Sequence, residues 1–382
     1  MRWMLPDGVE EWLPPESWQP EGLRRQVIDT FAAHGFELVL APLIEYTDSL
    51  LSGIGEDLAL RTFAVTDQIS GRRLGFRADI TPQAARIDAH RYASDAAGVR
   101  RLCYLGTVLR THPDVPGGPR SLRQLWAEIF GHPGLEADVE VISLMCEILT
   151  QAGREEFTLD LGHVGILRAL LPENLAEVDA ARLLPAVQRK AQGEVRQIGE
   201  AVGLDAERCA RLADLCEWHG PPELLEQKAA SADPLLRPAL DALLDLSVRL
   251  RQRFPGRAQH LDCGELSGFR YETGVTWAAY APGHGRALAR GGRYDGIGRQ
   301  FGAERAATGF SADLNSLLTA QSAAPAELVW APSGDEAALL AAIRSARAAG
   351  HRVRQCMPGE KMGPGAQLQR TDGEWTITTE HT

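Results

Sequence analysis

The chain has 382 residues, which is enough for two or three domains that each bury a hydrophobic core. Its 51 acidic and 40 basic residues give a net charge of −11, which argues against a surface built mainly to hold nucleic acid. No apolar run reaches the roughly 18–20 residues of a membrane span, and residues 1–15 lack the pattern of a signal peptide, so we expect a cytoplasmic protein.

The first part of the chain is predicted to alternate helices and strands. Leu23, Val27 and Phe31 recur at helical spacing before Gly35, a residue type that commonly ends helices. The segment 111–120 is rich in proline and glycine, which predicts a loop between two strands. The predicted elements are a helix over 21–34, strands over 36–40, 101–110 and 121–130, and a helix over 138–151.

Residues 172–258 differ in composition and are rich in alanine, arginine, glutamate and leucine. The spacing of their leucines predicts an inserted helical module, with breaks at Gly220-Pro221-Pro222 and Asp233-Pro234. The later predicted elements are strands within 261–280, a helix near 312–320, a strand over 328–331, a helix over 335–349 and a strand over 353–357. A final hairpin is predicted to turn at Asp372-Gly373, which favours a type I′ turn.

The six cysteines give no indication of a metal site or a disulfide framework. They are scattered, with no Cys-x-x-Cys pair and no histidine at zinc-finger spacing. We expect buried free thiols in a reducing compartment. Nothing in the sequence indicates a metal ion or a cofactor.

Five sequence motifs are informative when they are considered together in chain order. They are Leu5-Pro6-Asp7-Gly8-Val9, Phe76-Arg77-Ala78-Asp79-Ile80-Thr81, Arg101-Leu102-Cys103-Tyr104-Leu105-Gly106, Glu128-Ile129-Phe130-Gly131, and the glycine-rich run from Pro282 to Gly296. Together they resemble the class II aminoacyl-tRNA synthetases, in particular the histidyl enzyme, over residues 1–320. The resemblance implies an α+β fold in which an antiparallel sheet is flanked by helices. It divides the chain into a synthetase-like core (1–171 and 259–323), a helical insertion (172–258) and a truncated C-terminal α/β module (325–382).

The chemistry of an amino-acid ligand suits several polar residues of these motifs. An α-ammonium group needs oxygen acceptors, which Asp79, Thr81 and Gln124 can supply. An imidazole N–H needs a carboxylate, and the resemblance places Glu128 where the family contacts the histidine ring. Gln124 and Glu128 are four positions apart on one predicted strand, so alternation puts both on the same face. The alternative is that both are solvated strand residues.

A second motif of the family, Arg-Gly-Leu-Asp-Tyr-Tyr, aligns with residues 267–272. Tyr271 keeps the first tyrosine, and Glu272 stands where the second would contact the far nitrogen of the ring. The resemblance therefore implies that a bound imidazole lies between Glu128 and Glu272. Two carboxylates would raise the pKa of the ring, so affinity should rise as the pH falls from 8 toward 6. The alternative is that Glu272 faces solvent.

The residues that would activate an amino acid with ATP are incomplete. That reaction needs cations around the phosphates, and the family supplies three arginines. Arg110 keeps one of them, whereas Ser267 and Ser316 stand at the other two positions. We therefore expect no catalytic residues in this chain. Arg110 is then expected to bind the carboxylate of the ligand through two guanidinium nitrogens.

A synthetase fold without activating arginines and with a shortened anticodon-binding domain resembles the regulatory subunit of ATP phosphoribosyltransferase. The resemblance implies a hetero-oligomer with the short-form catalytic subunit of that enzyme, at the first step of histidine biosynthesis. It implies activation of that subunit, histidine as a ligand and a part in feedback inhibition, without nucleic acid or membrane. The synthetase fold dimerises through its first helix and strand, here residues 21–47, which implies a homodimer within the larger assembly.

Two other interpretations stay open on the sequence alone. One is a divergent histidyl-tRNA synthetase or an adenylating relative, which histidine-stimulated ATP–pyrophosphate exchange would reveal. The other is a synthetase-like sensor or ligase with another amino acid or partner, which Glu272 favours because the family has an aromatic hydroxyl there. A thermal-shift screen over amino acids would identify that ligand.

Overall fold

The chain forms two compact units. The computed structural model describes residues 4–51, 56–92, 98–172, 175–265, 268–269, 271–319 and 327–379. The first unit comprises Met1–Trp12 and Leu23–Ser322, and the second comprises Leu13–Gly22 and Ala323–Thr382. The domain boundaries expected from the sequence, with a separate helical insertion over 172–258, stay a prediction.

The described part of the chain contains helices and strands throughout. The helices are α1 (Trp18–Ala33), α2 (Thr47–Leu50), α3 (Glu56–Arg61), α4 (Thr81–Arg91), α5 (Leu135–Gln151), α6 (Val164–Leu170), α7 (Glu177–Gln188), α8 (Gln192–Ala201), α9 (Ala206–Leu215), α10 (Pro222–Ala230), α11 (Arg237–Arg253), α12 (Leu314–Leu317) and α13 (Ala337–Ala348). The strands are β1 (Glu37–Leu38), β2 (Ile44–Tyr46), β3 (Ala64–Thr66), β4 (Arg73–Phe76), β5 (Arg100–Leu109), β6 (Ser121–Phe130), β7 (Thr158–His163), β8 (His219–Gly220), β9 (Gln259–Asp262), β10 (Val275–Tyr280), β11 (Ala289–Arg293), β12 (Ala307–Asp313), β13 (Leu328–Ala331), β14 (Arg352–Gln355), β15 (Ala366–Thr371) and β16 (Glu374–Thr379). Among the described helices, none combines the length and the apolar character that crossing a membrane requires.

A nine-stranded sheet dominates the first unit. Its strand order is β1-β5-β6-β12-β11-β10-β7-β9-β8. The neighbours are antiparallel except for the β1–β5 and β7–β9 pairs, which are parallel. The predicted α+β class, an antiparallel sheet flanked by helices, is confirmed, and the two parallel pairs are an addition to it.

Strand alternation gives this sheet two different faces. On β6, Leu125 and Ala127 belong to the main core, which also contains the apolar residues of α5. Trp126 and Phe130 belong to a smaller cluster with Tyr104. The strand predicted over 121–130 has the bounds of β6, and α5 begins earlier than the predicted residue 138, with Glu136 and Asp138 in its first turn. Acidic residues are favourable at that end of a helix.

The chain between β1 and β5 contains elements that the sequence did not predict. Strands β2, β4 and β3 form a small antiparallel sheet in that order. Helix α4 follows, with Pro82 in its first turn, a position where proline is well tolerated. Asp79 and Thr81, two of the residues expected to bind a ligand, lie at the junction of this segment with α4.

The residues of the predicted insertion are helical, as expected, apart from β8. The predicted break at Gly220-Pro221-Pro222 contains the end of β8 and the start of α10, and Asp233-Pro234 lies between α10 and α11. Apolar residues of these helices, including Leu183 and Leu240, belong to the same buried cluster as α5. These helices therefore share a hydrophobic core with the large sheet.

The second unit contains a four-stranded sheet in the order β14-β13-β15-β16. Strand β13 is parallel to β14 and to β15, and β15 and β16 form an antiparallel hairpin. At its turn, Asp372 has φ 51° and Gly373 has φ 87°. Positive φ at both central residues agrees with the predicted type I′ turn.

Candidate functional site

Polar residues that are expected to bind a ligand lie on one face of the large sheet. Gln124 and Glu128 lie on β6 with Trp126 between them, and all three are buried. Alternation places the three on one face, so neither polar residue is a solvated strand residue. Across the sheet, Glu128 pairs in register with Gly309, which pairs with Gly292. Opposed residues of antiparallel strands point to one face, so Glu128 borders two positions without side chains.

Glu128 is the centre of a buried hydrogen-bond network. Its carboxylate accepts a bond of 2.6 Å from the Tyr104 hydroxyl and one of 2.9 Å from the Tyr294 hydroxyl, and the residue is 1% exposed. Burial raises the pKa of Glu128 to about 7, although the two phenols act to lower it. Near neutral pH the carboxyl group therefore exists in both protonation states.

Asp79 and Thr81 approach Glu128 from the start of α4. The Asp79 carboxylate accepts a hydrogen bond of 2.9 Å from the backbone N–H of Thr81. The Thr81 side chain lies within hydrogen-bonding reach of Glu128, and the charge of Asp79 adds to the effect of burial on the Glu128 pKa. We call this acceptor-rich cluster of three side chains the Glu128 pocket, and its oxygen atoms suit a ligand with N–H donors.

Glu272 is a second buried carboxylate, next to Gly292 of the Gly292–Gly309 pair. It is 5% exposed, and its Oε2 atom has no hydrogen-bond partner among the residues that the structure describes. The carboxylate lies against Gly292, where a Cβ atom would overlap it. Burial raises the pKa of Glu272 well above its usual value, the charge of Asp138 adds to this, and Arg168 opposes it. The alternative that Glu272 faces solvent is wrong.

Tyr271 lies at the rim of the same pocket. The residue is 58% exposed, and its hydroxyl lies within electrostatic reach of Glu272 and Asp79. A phenol in this position can donate a hydrogen bond to a ligand carboxylate or accept one from a ligand N–H.

Arg110 is buried and already has partners within the chain. It is 7% exposed, donates to the Ala78 carbonyl at 3.3 Å and forms an ion pair with Asp114. Asp114 also accepts a bond of 2.7 Å from Arg61. The guanidinium group therefore holds the backbone next to Asp79.

Ser316 lines a separate cavity on the same sheet. This cavity has a volume of about 240 Å³, and its walls include Trp12, Arg123, Arg286, Asp313 and Ser316. The Ser316 hydroxyl donates to the Asp313 carboxylate at 2.8 Å and accepts a bond of 3.1 Å from Arg286. The serine is thus integrated into a polar network at the position where the family would have an arginine. Ser267, the other substituted position, lies outside the described residues.

Three residues of the site were not predicted from the sequence. Tyr104 and Tyr294 bond Glu128, and Trp126 fills the strand position between Gln124 and Glu128. Both tyrosines lie in motifs quoted for the resemblance, so their motif membership was an available signal. The indole of Trp126 could have been placed on the Glu128 face by strand alternation.

The geometry places buried carboxylates on one face of a mainly antiparallel sheet flanked by helices. The family model for histidyl-tRNA synthetase matches residues 8–317. The family model for the ATP phosphoribosyltransferase subunit HisZ C-terminal domain matches residues 326–378. No set of three or more described histidine, cysteine or carboxylate residues could hold a metal ion. The class is therefore a histidyl-tRNA synthetase-like protein with a HisZ-type C-terminal domain.

A relative that matches nearly the whole chain identifies the family more specifically. A curated relative from Alkalilimnicola ehrlichii, named ATP phosphoribosyltransferase regulatory subunit, is 45% identical over 390 residues, which cover 99% of this chain and 97% of that protein. The chain belongs to the family of ATP phosphoribosyltransferase regulatory subunits.

Solved structures with the same fold agree with this assignment. One is described as an ATP phosphoribosyltransferase regulatory subunit/histidyl-tRNA synthetase from Bacillus halodurans C, with a TM-score of 0.81, 26% identity and 95% coverage of both chains. Another is described as an ATP phosphoribosyl transferase (HisG:HisZ) complex from Thermotoga maritima, with a TM-score of 0.60, 18% identity, and coverage of 80% of this chain and 98% of that chain. At that identity the second likeness concerns the fold alone.

Proposed function

We propose that this chain activates a short-form catalytic subunit of ATP phosphoribosyltransferase and makes that enzyme sensitive to inhibition by histidine. The observation that carries the proposal is the 45% identity to a regulatory subunit over nearly the whole length of both proteins. The curated relative is named as a regulatory subunit of ATP phosphoribosyltransferase, which supports a hetero-oligomer here.

In this proposal the chain has no catalysis of its own. Stabilising the charge that develops on transferred phosphates requires preorganised cations, and losing one such contact costs about 3–4 kcal/mol. Ser316 is uncharged and is bonded to Asp313 and Arg286, so its own side chain cannot supply that charge. Ser267 stands at a second such position.

The proposed histidine site is the Glu128 pocket. The imidazole would donate to Glu128, with Glu272 at its other nitrogen, because both carboxylates are buried on one face of the sheet. The ammonium group would bond Asp79, Thr81 and Gln124, whose Oε1 atom has no partner within the described residues. The remaining members of the proposed site are Tyr271 at the rim and Arg110 behind Asp79.

We also propose a homodimer through residues 21–47. Strand β1 is the outermost strand of the large sheet at its end, so its outer edge is available for pairing. Leu40, next to it, is 82% exposed, and Leu43 and Ile44 are also exposed. An apolar segment beside a sheet edge is suited to burial by a second copy.

The function is tested by mixing the purified chain with a short-form phosphoribosyltransferase subunit. We expect the two to elute together in size-exclusion chromatography and the rate of phosphoribosyl transfer to rise. The chain alone should give no histidine-dependent ATP–pyrophosphate exchange above a blank without protein. Separate elution with an unchanged rate, or exchange by the chain alone, would contradict the proposal.

A further inference from the structure

We propose that Arg290 binds the carboxylate of the amino acid in this pocket, an inference that rests on the proposed histidine site. Arg290 lies on β11, in register with Ser311 of β12 and Ala278 of β10. Gly292 is two residues further along the strand, so both positions face the same side as the Glu272 carboxylate. Two strand residues span about 7 Å, which an arginine side chain can cover.

An amino-acid ligand brings a negative charge into a pocket that is already acidic. Asp79, Glu128 and Glu272 suit its ammonium group and ring but repel its carboxylate, because like charges at short range disfavour each other. A cation beside the pocket removes that conflict. An arginine is the best candidate, since its planar fork matches both oxygens of a carboxylate.

Three arginines near this face differ in what already engages them. Arg110 is paired with Asp114 and is buried. Arg77 is also buried and donates to two backbone carbonyls at 2.9 Å each. Arg290 is exposed and has no carboxylate partner in the part of the chain that the structure describes. Of the three, Arg290 has its guanidinium group available to a ligand.

The surroundings of Arg290 direct it toward the pocket. The hydroxyl of Tyr271, at the rim, lies within electrostatic reach of Arg290, as does that of Tyr280. Asp160 of β7 lies in register with Arg290, two strands away across β10. Its carboxylate is hydrogen-bonded to His260 at 2.9 Å. No competing ion pair among the described residues therefore draws Arg290 away from Tyr271.

The test compares histidine with histamine, which has the ring and the amine but no carboxylate. Calorimetry on the full-length wild type should show histidine binding more tightly than histamine. Arg290→Ala should weaken histidine about tenfold to a hundredfold, the effect of one charge-assisted hydrogen bond, and leave histamine nearly unchanged. Arg290→Lys should give an intermediate histidine affinity, because it keeps the charge and loses the fork.

Arg299→Ala is the matched control, because Arg299 is an exposed arginine paired with Glu304. It should bind both ligands as the wild type does. An unchanged ratio of histidine to histamine affinity in Arg290→Ala would overturn the role of Arg290 while leaving the histidine site in place. A wild type that binds no histidine would overturn both the site and this inference, so the two failures are distinguishable.

Discussion

At the scale of single residues, the burial of Glu128 determines what the pocket can bind. A buried carboxylate is costly unless hydrogen bonds or a positive charge compensate for lost hydration. Tyr104 and Tyr294 supply two hydrogen bonds, yet the pKa of Glu128 still rises to about 7 because of burial. A ligand with an N–H donor or a positive charge would supply the rest, which explains why a basic ring suits this position.

Glu128→Gln is predicted to weaken histidine binding by about 1.5–3 kcal/mol, the value of a charge-assisted hydrogen bond. The substitution keeps the size of the side chain and removes its charge, so the protein should still fold. Calorimetry with histidine measures the effect. Glu147→Gln, on the exposed side of α5, is the control and should bind as the wild type does. Equal histidine affinity in Glu128→Gln and wild type would remove Glu128 from the site.

The pH dependence expected from the sequence changes once burial is taken into account. In the empty pocket Glu128 has a pKa of about 7, and burial raises the pKa of Glu272 above its usual value, so both carboxyl groups hold a proton more readily than a free glutamate does. In the proposed complex Glu128 is ionised and accepts a hydrogen bond from the ring. Below pH 7 the Glu128 of the empty pocket is increasingly protonated, so forming that complex must release this proton.

Affinity is therefore predicted to fall below pH 7, by about tenfold per pH unit for each proton released. Calorimetric titrations of histidine at pH 8, 7 and 6 measure this. A steady rise in affinity down to pH 6 would contradict the prediction and support the simpler expectation from two ionised carboxylates.

At the scale of the elements, glycines in adjacent strands allow the charged side chains to approach the sheet. Gly309 of β12 lies beneath the Tyr294 hydroxyl and the Glu128 side chain, and Gly292 of β11 lies beneath Glu272. Side chains at these positions would push the network off the sheet. Glycines at these two positions of neighbouring strands thus leave room for two carboxylates on one face of the sheet.

Gly309→Ala is predicted to destabilise the protein by about 1–3 kcal/mol and to abolish histidine binding. Its Cβ would lie 2.8 Å from the Ala127 carbonyl oxygen, a backbone atom that cannot move freely, and 2.6 Å from the Glu128 Cγ atom. Thermal unfolding and calorimetry measure the two effects. Gly296→Ala is the matched control, because no atom lies within 4 Å of its added Cβ. If both variants behaved alike, Gly309 would have no part in shaping the site.

The sequence predicted long elements better than contacts between distant residues. The alternation of apolar residues defined β6, because one face of that strand is buried in the main core. The short strands β2–β4 and helix α4 lack such a repeat, so nothing local indicated them. The placement of Gln124 on the Glu128 face follows from alternation, whereas the burial of Glu272 depends on Gly292, twenty positions away, and could not be derived from its own neighbours.

At the scale of the whole molecule, regulation requires that histidine binding and activation of a partner be linked. If histidine favours an inactive arrangement of the complex, then assembly in that arrangement must in turn favour histidine by the same free energy, typically 1–3 kcal/mol. In the proposed assembly the Glu128 pocket holds the ligand, and the exposed segment around Leu40 forms the homodimer contact.

The link between the Glu128 pocket and feedback inhibition is tested by the phosphoribosyltransferase rate of the reconstituted complex. This rate is measured with and without histidine, for the wild-type chain and for Glu128→Gln. We predict that both chains activate the catalytic subunit, and that histidine inhibits the wild-type complex at concentrations about tenfold to a hundredfold lower than the variant complex requires. The same histidine sensitivity in both complexes would contradict it, because histidine would then act at a site without Glu128.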